Sequence, residues 1–189
     1  MQAKTRNVEH RKLVVNFSDC CPHLSAQRHR VTRRAHHKHI VEGLLILNLK
    51  NRAINAAVGF SFRAEGIKIG LVTDLGYIPD SIKFHLHGSH VLMLESNHDL
   101  DMLKVGPYPW AVKQRVMSRN GHLSNDVVGD FVGHEFDSGT ATLVLGHLSE
   151  HNNHPEIVRM VAQQALDRRG LATRLVVANQ REPTEVFRF

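Results

Sequence analysis

The stretch that decides the fold is residues 67–95, IKIGLVTDLGYIPDSIKFHLHGSHVLMLE. Its two ends, Ile67–Thr73 and Val91–Leu94, are short apolar runs that predict strands, the second of the fully buried type. Between them, Pro79-Asp80 predicts the start of a short helix to about His87, because proline suits the first helical turn and an acidic side chain suits the positive helix N-terminus. Strands that alternate with helices indicate an α/β layered domain.

The regular pattern extends to both sides of this stretch. Upstream, Ala57–Arg63 predicts a strand, and the turn at Glu65-Gly66 joins it to Ile67–Thr73 as a hairpin. Downstream, the sequence predicts three helices: one over Tyr108–Arg119, one from the N-cap Ser124 to about Glu135, and one from Asn153 or His154 to Arg169, which Gly170 ends. It also predicts a strand over Ala141–Leu145 and closing strands at Thr173–Val177 and Val186–Phe189.

The bulk composition bounds the class of protein. A chain of 189 residues that is 42% hydrophobic is long enough for one domain with a substantial core. It has no apolar run of the roughly 18 residues needed to cross a bilayer, and no secretory signal is evident, so no membrane partner is expected. The two cysteines, Cys20 and Cys21, are adjacent and poorly placed for a disulfide, which fits a cytoplasmic protein.

The charge is distributed unevenly. Residues 1–52 hold 11 Lys and Arg against 3 Asp and Glu, a net charge of +8, whereas residues 53–189 hold 13 against 15, a net charge of −2. We therefore divide the chain into a basic, His/Arg-rich segment at 1–52, unassigned or disordered, and a domain at 53–189. The segment is interpretable as a solvated arm or as a site for phosphate backbones.

Polar side chains follow the predicted buried strands. Asp74, Glu95 and His147 each lie just past such a strand, and His122 lies just before a predicted helix. Ligands of open α/β sheets bind beyond the carboxyl ends of the strands, and an Asp with several His suits zinc, manganese or iron. Any one of these residues also fits a structural role, as a turn cap or a hydrogen-bonded histidine, so position alone indicates a possible metal site.

Five strings carry a family resemblance. They are Gly70–Gly76 (GLVTDLG), Leu94–Asp99 (LESNHD), Gly106–Trp110 (GPYPW), Gly121–Asn125 (GHLSN) and His147–Asn153 (HLSEHNN). Together, in this order, they resemble the YycJ/WalJ-like exonuclease branch of the metallo-β-lactamase superfamily, over about Ala56 to Leu171. The resemblance implies an αββα sandwich with two divalent ions, zinc or manganese, at one edge. It also implies two-metal hydrolysis of phosphodiester bonds, with nucleic acid as the substrate.

The resemblance implies a role for each candidate residue. Asp74 would be the carboxylate that bridges the two metals, and His147 the last histidine ligand. By similarity to the tRNase Z relatives, His122 would face the scissile phosphate, where it stabilises charge or protonates the leaving oxygen, and Glu95 would orient it. His98 and Asp99, within one of the strings, receive no firm role.

The sequence departs from the family at its main metal motif, His-x-His-x-Asp-His, which it does not contain. The nearest string is His36–Glu42 (HHKHIVE), where Val41 and Glu42 stand at the Asp and last His positions. The family's middle histidine is also missing from residues 51–55. We therefore expect the C-terminal half of the sandwich, truncated at the N-terminal half, which exposes apolar faces and self-associates. An inactive, non-enzymatic fragment and a basic nucleic-acid-binding protein are the alternatives.

Overall fold

The structure, a computed structural model, describes residues 45–50 and 58–187, with the side chains of residues 59–187. It contains one six-stranded sheet in which the strands follow one another in chain order. The strands are β1 (Leu45–Lys50), β2 (Val58–Ala64), β3 (Ile67–Thr73), β4 (Val91–Glu95), β5 (Thr142–Gly146) and β6 (Arg174–Val177). The helices are α1 (Asp80–Leu86), α2 (Leu100–Val105), α3 (Trp110–Val116), α4 (Asn125–His134) and α5 (Pro155–Arg168).

The first three strands form an antiparallel meander. Strands β2 and β3 pair from Val58↔Thr73 to Ala64↔Ile67. Both turn residues have positive φ, 51° at Glu65 and 81° at Gly66. A two-residue hairpin turn whose twist matches that of the flanking strands requires positive φ at both positions. The predicted hairpin is therefore confirmed, and β1 extends it on the outer side of β2.

The remaining strands are parallel, and this arrangement positions the site. Strands β3, β4, β5 and β6 pair in parallel, each joined to the next by a connection that contains at least one helix. Every residue of β4 and β5 is buried, as expected for central strands of a sheet covered on both faces. Because the strands run the same way, the carboxyl ends of β3, β4 and β5 meet at one edge.

The larger core lies between one face of the sheet and the helices α1, α4 and α5. It contains these buried side chains of the strands and helices: Val72, Leu92, Leu94, Leu143, Leu145, Ile82, Leu86, Val128, Phe131, Val132, Val158, Ala162, Ala165 and Leu166. The alternate strand positions form a smaller core on the second face, with Ile69, Val91, Met93 and Val144 buried. The α/β class is confirmed. The residues that the structure describes form one sheet of the expected sandwich, and not the second.

Several predicted boundaries agree with the structure. Ser124 caps α4 by accepting from Val127 N, His154 caps α5, and Gly170 ends α5 with φ 63°. The helix predicted over Tyr108–Arg119 is shorter, at Trp110–Val116. Helix α2 was not predicted.

The strand predicted at Val186–Phe189 is wrong for the part that is described. Residues 186 and 187 are irregular, and the Phe187 side chain packs into the core of the second face. The rest of that strand, together with Cys20, Cys21 and the His36–Glu42 string, lies outside the described residues. The boundary at residue 52 stays a prediction, and β1 lies upstream of it. No helix in the described ranges is long and apolar enough to cross a membrane.

Candidate metal centre

Four predicted site residues converge at the carboxyl edge of the parallel strands. Asp74 directly follows β3, Glu95 ends β4, His147 directly follows β5, and His122 lies just before the N-cap of α4. Each offers a ligand atom, and these atoms all lie within 4.8 Å of one another. They are 21 to 73 positions apart in sequence, so the parallel sheet is what brings them together.

The backbone is strained at the two predicted metal ligands. Asp74 has φ 59° and His147 has φ 58°, in the left-handed region that L-residues other than glycine rarely adopt. Such a conformation costs about 1 kcal/mol or more per residue and persists where the surroundings hold it. Both residues come immediately after buried strands. The same unusual conformation therefore occurs at the two corresponding strand ends, where the sequence predicts the metal ligands.

Glu95 holds the loops of the site together. Its side chain has no exposed surface. Oε1 accepts hydrogen bonds from the backbone N–H of Leu75 at 2.7 Å and of Leu123 at 3.1 Å, and Oε2 accepts from the N–H of Asp74 at 3.1 Å. One buried carboxylate therefore joins the ends of β3 and β4 to the segment before α4.

The same carboxylate orients both imidazoles. Glu95 Oε2 lies 3.1 Å from His122 Nδ1 and 3.0 Å from His147 Nδ1. A carboxylate accepts, so each Nδ1 is the protonated nitrogen and each Nε2 is left for another partner. His147 Nε2 lies 3.8 Å from Asp74 Oδ1. A carboxylate that fixes the far nitrogen of a histidine is the usual support of a metal-binding imidazole.

The charges of the cluster shift two pKa values in opposite directions. Burial raises the pKa of Glu95, but the hydrogen bonds from His122 and His147 outweigh burial and leave the pKa below its ordinary value. Burial lowers the pKa of His147, but its hydrogen bond to Glu95 and the nearby carboxylates outweigh burial and raise the pKa. Glu95 is therefore ionised at neutral pH. An ion that binds His147 Nε2 must compete with a proton there.

Buried and half-buried polar side chains fix the loops around the site, and sequence reasoning assigned them no role. Asn153 Nδ2 donates to Ser96 O at 2.8 Å, and Ser96 Oγ and Asn125 Oδ1 lie 2.7 Å apart. Asn125 Nδ2 donates to Asn153 Oδ1 at 2.9 Å, and Asn97 Nδ2 donates to His147 O at 2.8 Å. These four residues all occur in the family strings quoted above, which is the signal that could have marked them. They position the loop that carries His147.

The residues present fit a divalent ion. The Asp74 carboxylate oxygen and the His147 imidazole nitrogen are donor types that zinc and manganese take, and the His122 ring lies within the same cluster. Glu95 is less suited as a ligand, because both its oxygens already accept hydrogen bonds. Within the part of the chain that the structure describes, this is the one cluster of three or more His, Cys, Asp or Glu side chains with such geometry.

His98 and Asp99 lie near the centre but outside this cluster. The His98 side chain is buried, 1% exposed, and neither ring nitrogen has a hydrogen-bond partner among the described residues. Burial lowers the pKa of His98 to about 4. Asp99 caps α2, since its Oδ1 accepts from the N–H groups of Asp101 and Met102. Asp99 is thus structural, and His98 is a neutral buried ring.

Comparison with known proteins gives relatives by sequence, whereas no family model matches the chain. The chain is 36% identical over 111 residues to exodeoxyribonuclease YycJ of Bacillus anthracis, a match that covers 59% of this chain and 42% of the relative. It is 34% identical over 101 residues to exodeoxyribonuclease WalJ of Streptococcus pneumoniae, covering 53% and 38%. The resemblance to the YycJ/WalJ-like branch is therefore confirmed. The chain spans less than half the length of these relatives.

Solved structures give weaker similarity. Zinc-bound PqqB from Methylobacterium extorquens superimposes with a TM-score of 0.47 at 16% identity, over 78% of this chain and 49% of that structure.

Proposed function

We propose that the chain is a metal-dependent hydrolase that cleaves phosphodiester bonds of DNA. The observation that carries this proposal is the placement of Asp74, His122 and His147 around one buried carboxylate, Glu95. Two strand-end residues in strained conformations support it. The sequence relatives are named exodeoxyribonucleases, which supports DNA as the substrate class. A cytoplasmic location stays a prediction from the cysteine pattern.

Each residue has a separate role in this proposal. Asp74 and His147 would hold the divalent ion, zinc or manganese, and Asp74 would also be a ligand of a second ion. When bound, such an ion activates water and neutralises the phosphate. Glu95 keeps both imidazoles in the tautomer with Nε2 open. His122 contacts the scissile phosphate through Nε2, where it stabilises charge or passes a proton to the leaving oxygen.

Hydrolysis of a labelled DNA strand by the full chain tests the proposal. With zinc or manganese added, we expect cleavage that Asp74→Ala and His147→Ala abolish. His122→Ala should lower the rate by about 10²- to 10⁴-fold, the range for a general acid or base. Its bound metal should stay unchanged, because His122 is assigned to the phosphate rather than the ion.

The control is His134→Ala, an exposed histidine on α4. This variant should cleave DNA at the same rate as the unsubstituted chain. The comparison shows whether cleavage depends on the histidines of the site or would be lost on removing any histidine. Cleavage that survives Asp74→Ala, or metal lost from His122→Ala, would contradict the roles proposed here.

The basic segment at residues 1–52 favours a second candidate, a nucleic-acid-binding protein without hydrolytic activity. Its +8 charge is sufficient for sequence-independent phosphate contacts that weaken with salt. A variant in which glutamine replaces Arg28, Arg30, Arg33 and Arg34 distinguishes the two candidate functions. Binding lost in this variant, with no cleavage by any form of the chain, would favour the second candidate.

A further inference from the structure

Four exposed side chains lie on α3 and on the segments directly before and after it, Val105, Trp110, Arg115 and Arg119, and together they are called the α3 surface. The single tryptophan of the chain, Trp110, is 62% exposed at the start of α3, and Val105 is 86% exposed. Both arginines are exposed as well. The α3 surface therefore presents one aromatic ring and two guanidinium groups to solvent.

One end of this surface contacts the loop that carries Asp74. The Arg119 guanidinium lies 4.3 Å from the centre of the Tyr77 ring, a cation–π contact. A Cβ on Gly76 would lie 2.2 Å from Ser118 O, so the two backbones are in close contact. The surface is thus fixed against the segment three residues beyond Asp74.

The other end contacts the loop that carries His147. Tyr108 packs edge-on against His151, with ring centroids 6.3 Å apart, and His151 follows His147 by four residues. After α3, His122 N donates to Val116 O at 2.9 Å. The segment from Tyr108 to His122 therefore adjoins both loops that supply the predicted metal ligands.

The charge of the segment is opposite to that of the domain around it. Residues 108–122 contain three Lys and Arg and no Asp or Glu, whereas residues 53–189 as a whole have a net charge of −2. Lys113 is buried and its Nζ donates to Lys104 O, so Arg115 and Arg119 are the cations of α3 and its end that face solvent. A local basic surface next to a site for phosphate chemistry complements an anionic polymer.

We propose that this surface binds a single strand of DNA, with a base stacked on Trp110 and phosphates on Arg115 and Arg119, and leads the strand to the metal centre. The inference rests on the proposed function for its substrate class. A single strand is required because unpaired bases expose the ring faces that stack on an aromatic side chain.

Fluorescence of Trp110 tests this binding directly, because the chain has no other tryptophan. A short oligothymidylate is titrated into the full chain with chelator present, so that no cleavage occurs. We expect saturable quenching. The paired substitution Arg115→Gln with Arg119→Gln should weaken the affinity about tenfold and reduce the salt slope by about 1.4, for two phosphate contacts.

Matched variants make the test specific. Trp110→Ala, followed by anisotropy of a labelled strand, should also weaken binding about tenfold. The paired control Arg159→Gln with Arg168→Gln removes two cations from α5, on the helix face of the sheet, and should leave quenching unchanged. Melting temperatures of all variants confirm that they fold.

The outcomes separate this inference from the proposed function. Binding by anisotropy without a change in Trp110 fluorescence would place the DNA elsewhere, for instance on residues 1–52, and would overturn the inference. Cleavage whose KM is unaffected by Trp110→Ala and by the arginine pair would overturn it as well, while leaving the hydrolase proposal standing. Specific quenching with no cleavage would support the binding surface and sink the hydrolase proposal.

Discussion

Glu95 is the residue on which the geometry of the site depends. It accepts from the backbone N–H of Asp74, Leu75 and Leu123 and from the Nδ1 of both site histidines. The buried charge is acceptable because all of these groups are donors. A change at this one carboxylate therefore disturbs three loops at once, even if Glu95 never touches the ion or the substrate.

Glu95→Gln is expected to destabilise the fold as well as the site. The amide keeps the shape, but it removes the charge and turns one acceptor into a donor that faces N–H groups. We expect a loss of about 3 kcal/mol in urea unfolding, as for other broken buried charge networks. Glu156→Gln makes the same change at the exposed start of α5 and should cost less than about 1 kcal/mol. Equal losses in the two variants would contradict the role of Glu95.

His98 makes the fold sensitive to mild acid. Its pKa falls from 6.5 to about 4 because burial disfavours the charged ring. The unfolded chain then binds a proton that the folded chain does not, so stability is complete above pH 6.5 and decreases as the pH falls toward 4. The loss is up to about 3 kcal/mol. Melting in chelator between pH 4.5 and 7 should show a smaller acid loss for His98→Gln than for the unsubstituted chain.

The exposed His134 on α4 provides the control for that comparison. His134→Gln should retain the full acid sensitivity, because its ring lies at the surface. If His98→Gln and His134→Gln lose stability in parallel on acidification, the sensitivity does not come from the buried ring.

At the scale of elements, the contact between α3 and the segment of His122 is made through a glycine. A Cβ on Gly121 would lie 2.0 Å from Val116 O and 2.4 Å from Arg115 O, both backbone atoms. Gly121→Ala should therefore separate the two segments, lower the unfolding free energy by about 1–3 kcal/mol, and lower activity by displacing His122.

The same glycine-to-alanine substitution on α4 should raise the unfolding free energy instead of lowering it. A Cβ on Gly133 meets its nearest atoms at 3.7 Å and 4.0 Å, ordinary contact distances. Gly133→Ala should stabilise by about 0.5–1 kcal/mol, because alanine has less backbone freedom to lose in a helix. Chemical denaturation measures the unfolding free energy of both variants and of the unsubstituted chain. A Gly121→Ala variant as stable as Gly133→Ala would show that the close contact is absent.

The elements that sequence could predict are those with local signals. The buried runs of β4 and β5, the Glu65-Gly66 turn and the caps Ser124 and Gly170 all depend on neighbouring residues. Helix α2 escaped prediction because its six residues are too short for a helical period, and its cap, Asp99, was noted only within a family string. Strand β1 was not predicted, and its pairing with β2 identifies it as a strand.

The sequence predicted which residues form the candidate site, but not the hydrogen bonds that join them. The strand-end positions of Asp74, Glu95 and His147 follow from local sequence. The hydrogen bond between Glu95 and His147 joins residues 52 positions apart, so only the parallel pairing of β4 with β5 reveals it. The strain at Asp74 and His147 likewise depends on tertiary contacts that no local pattern encodes.

At the scale of the molecule, the two faces of the sheet differ. The helix face has a large core, whereas on the second face Phe62, Ile67, Leu71 and Val176 are partly buried against a smaller one. We expect self-association through the second face, seen as a concentration-dependent sedimentation coefficient.

Leu71→Lys places a charge in the middle of β3 on this face and should shift the chain toward the monomer. Gln163→Lys adds the same charge at an exposed position on α5 and should not. A chain that sediments as a monomer at all concentrations, with a sharp cooperative melt, would contradict this expectation.

The most direct test of the central claim is the metal content of the purified full chain, measured beside Asp74→Ala, His147→Ala and the control His134→Ala. We predict near-stoichiometric zinc or manganese in the unsubstituted chain and the control, and its loss in both site variants. Metal that neither Asp74→Ala nor His147→Ala removes, or no metal at all after exposure to both ions, would contradict the claim that these residues form a metal centre.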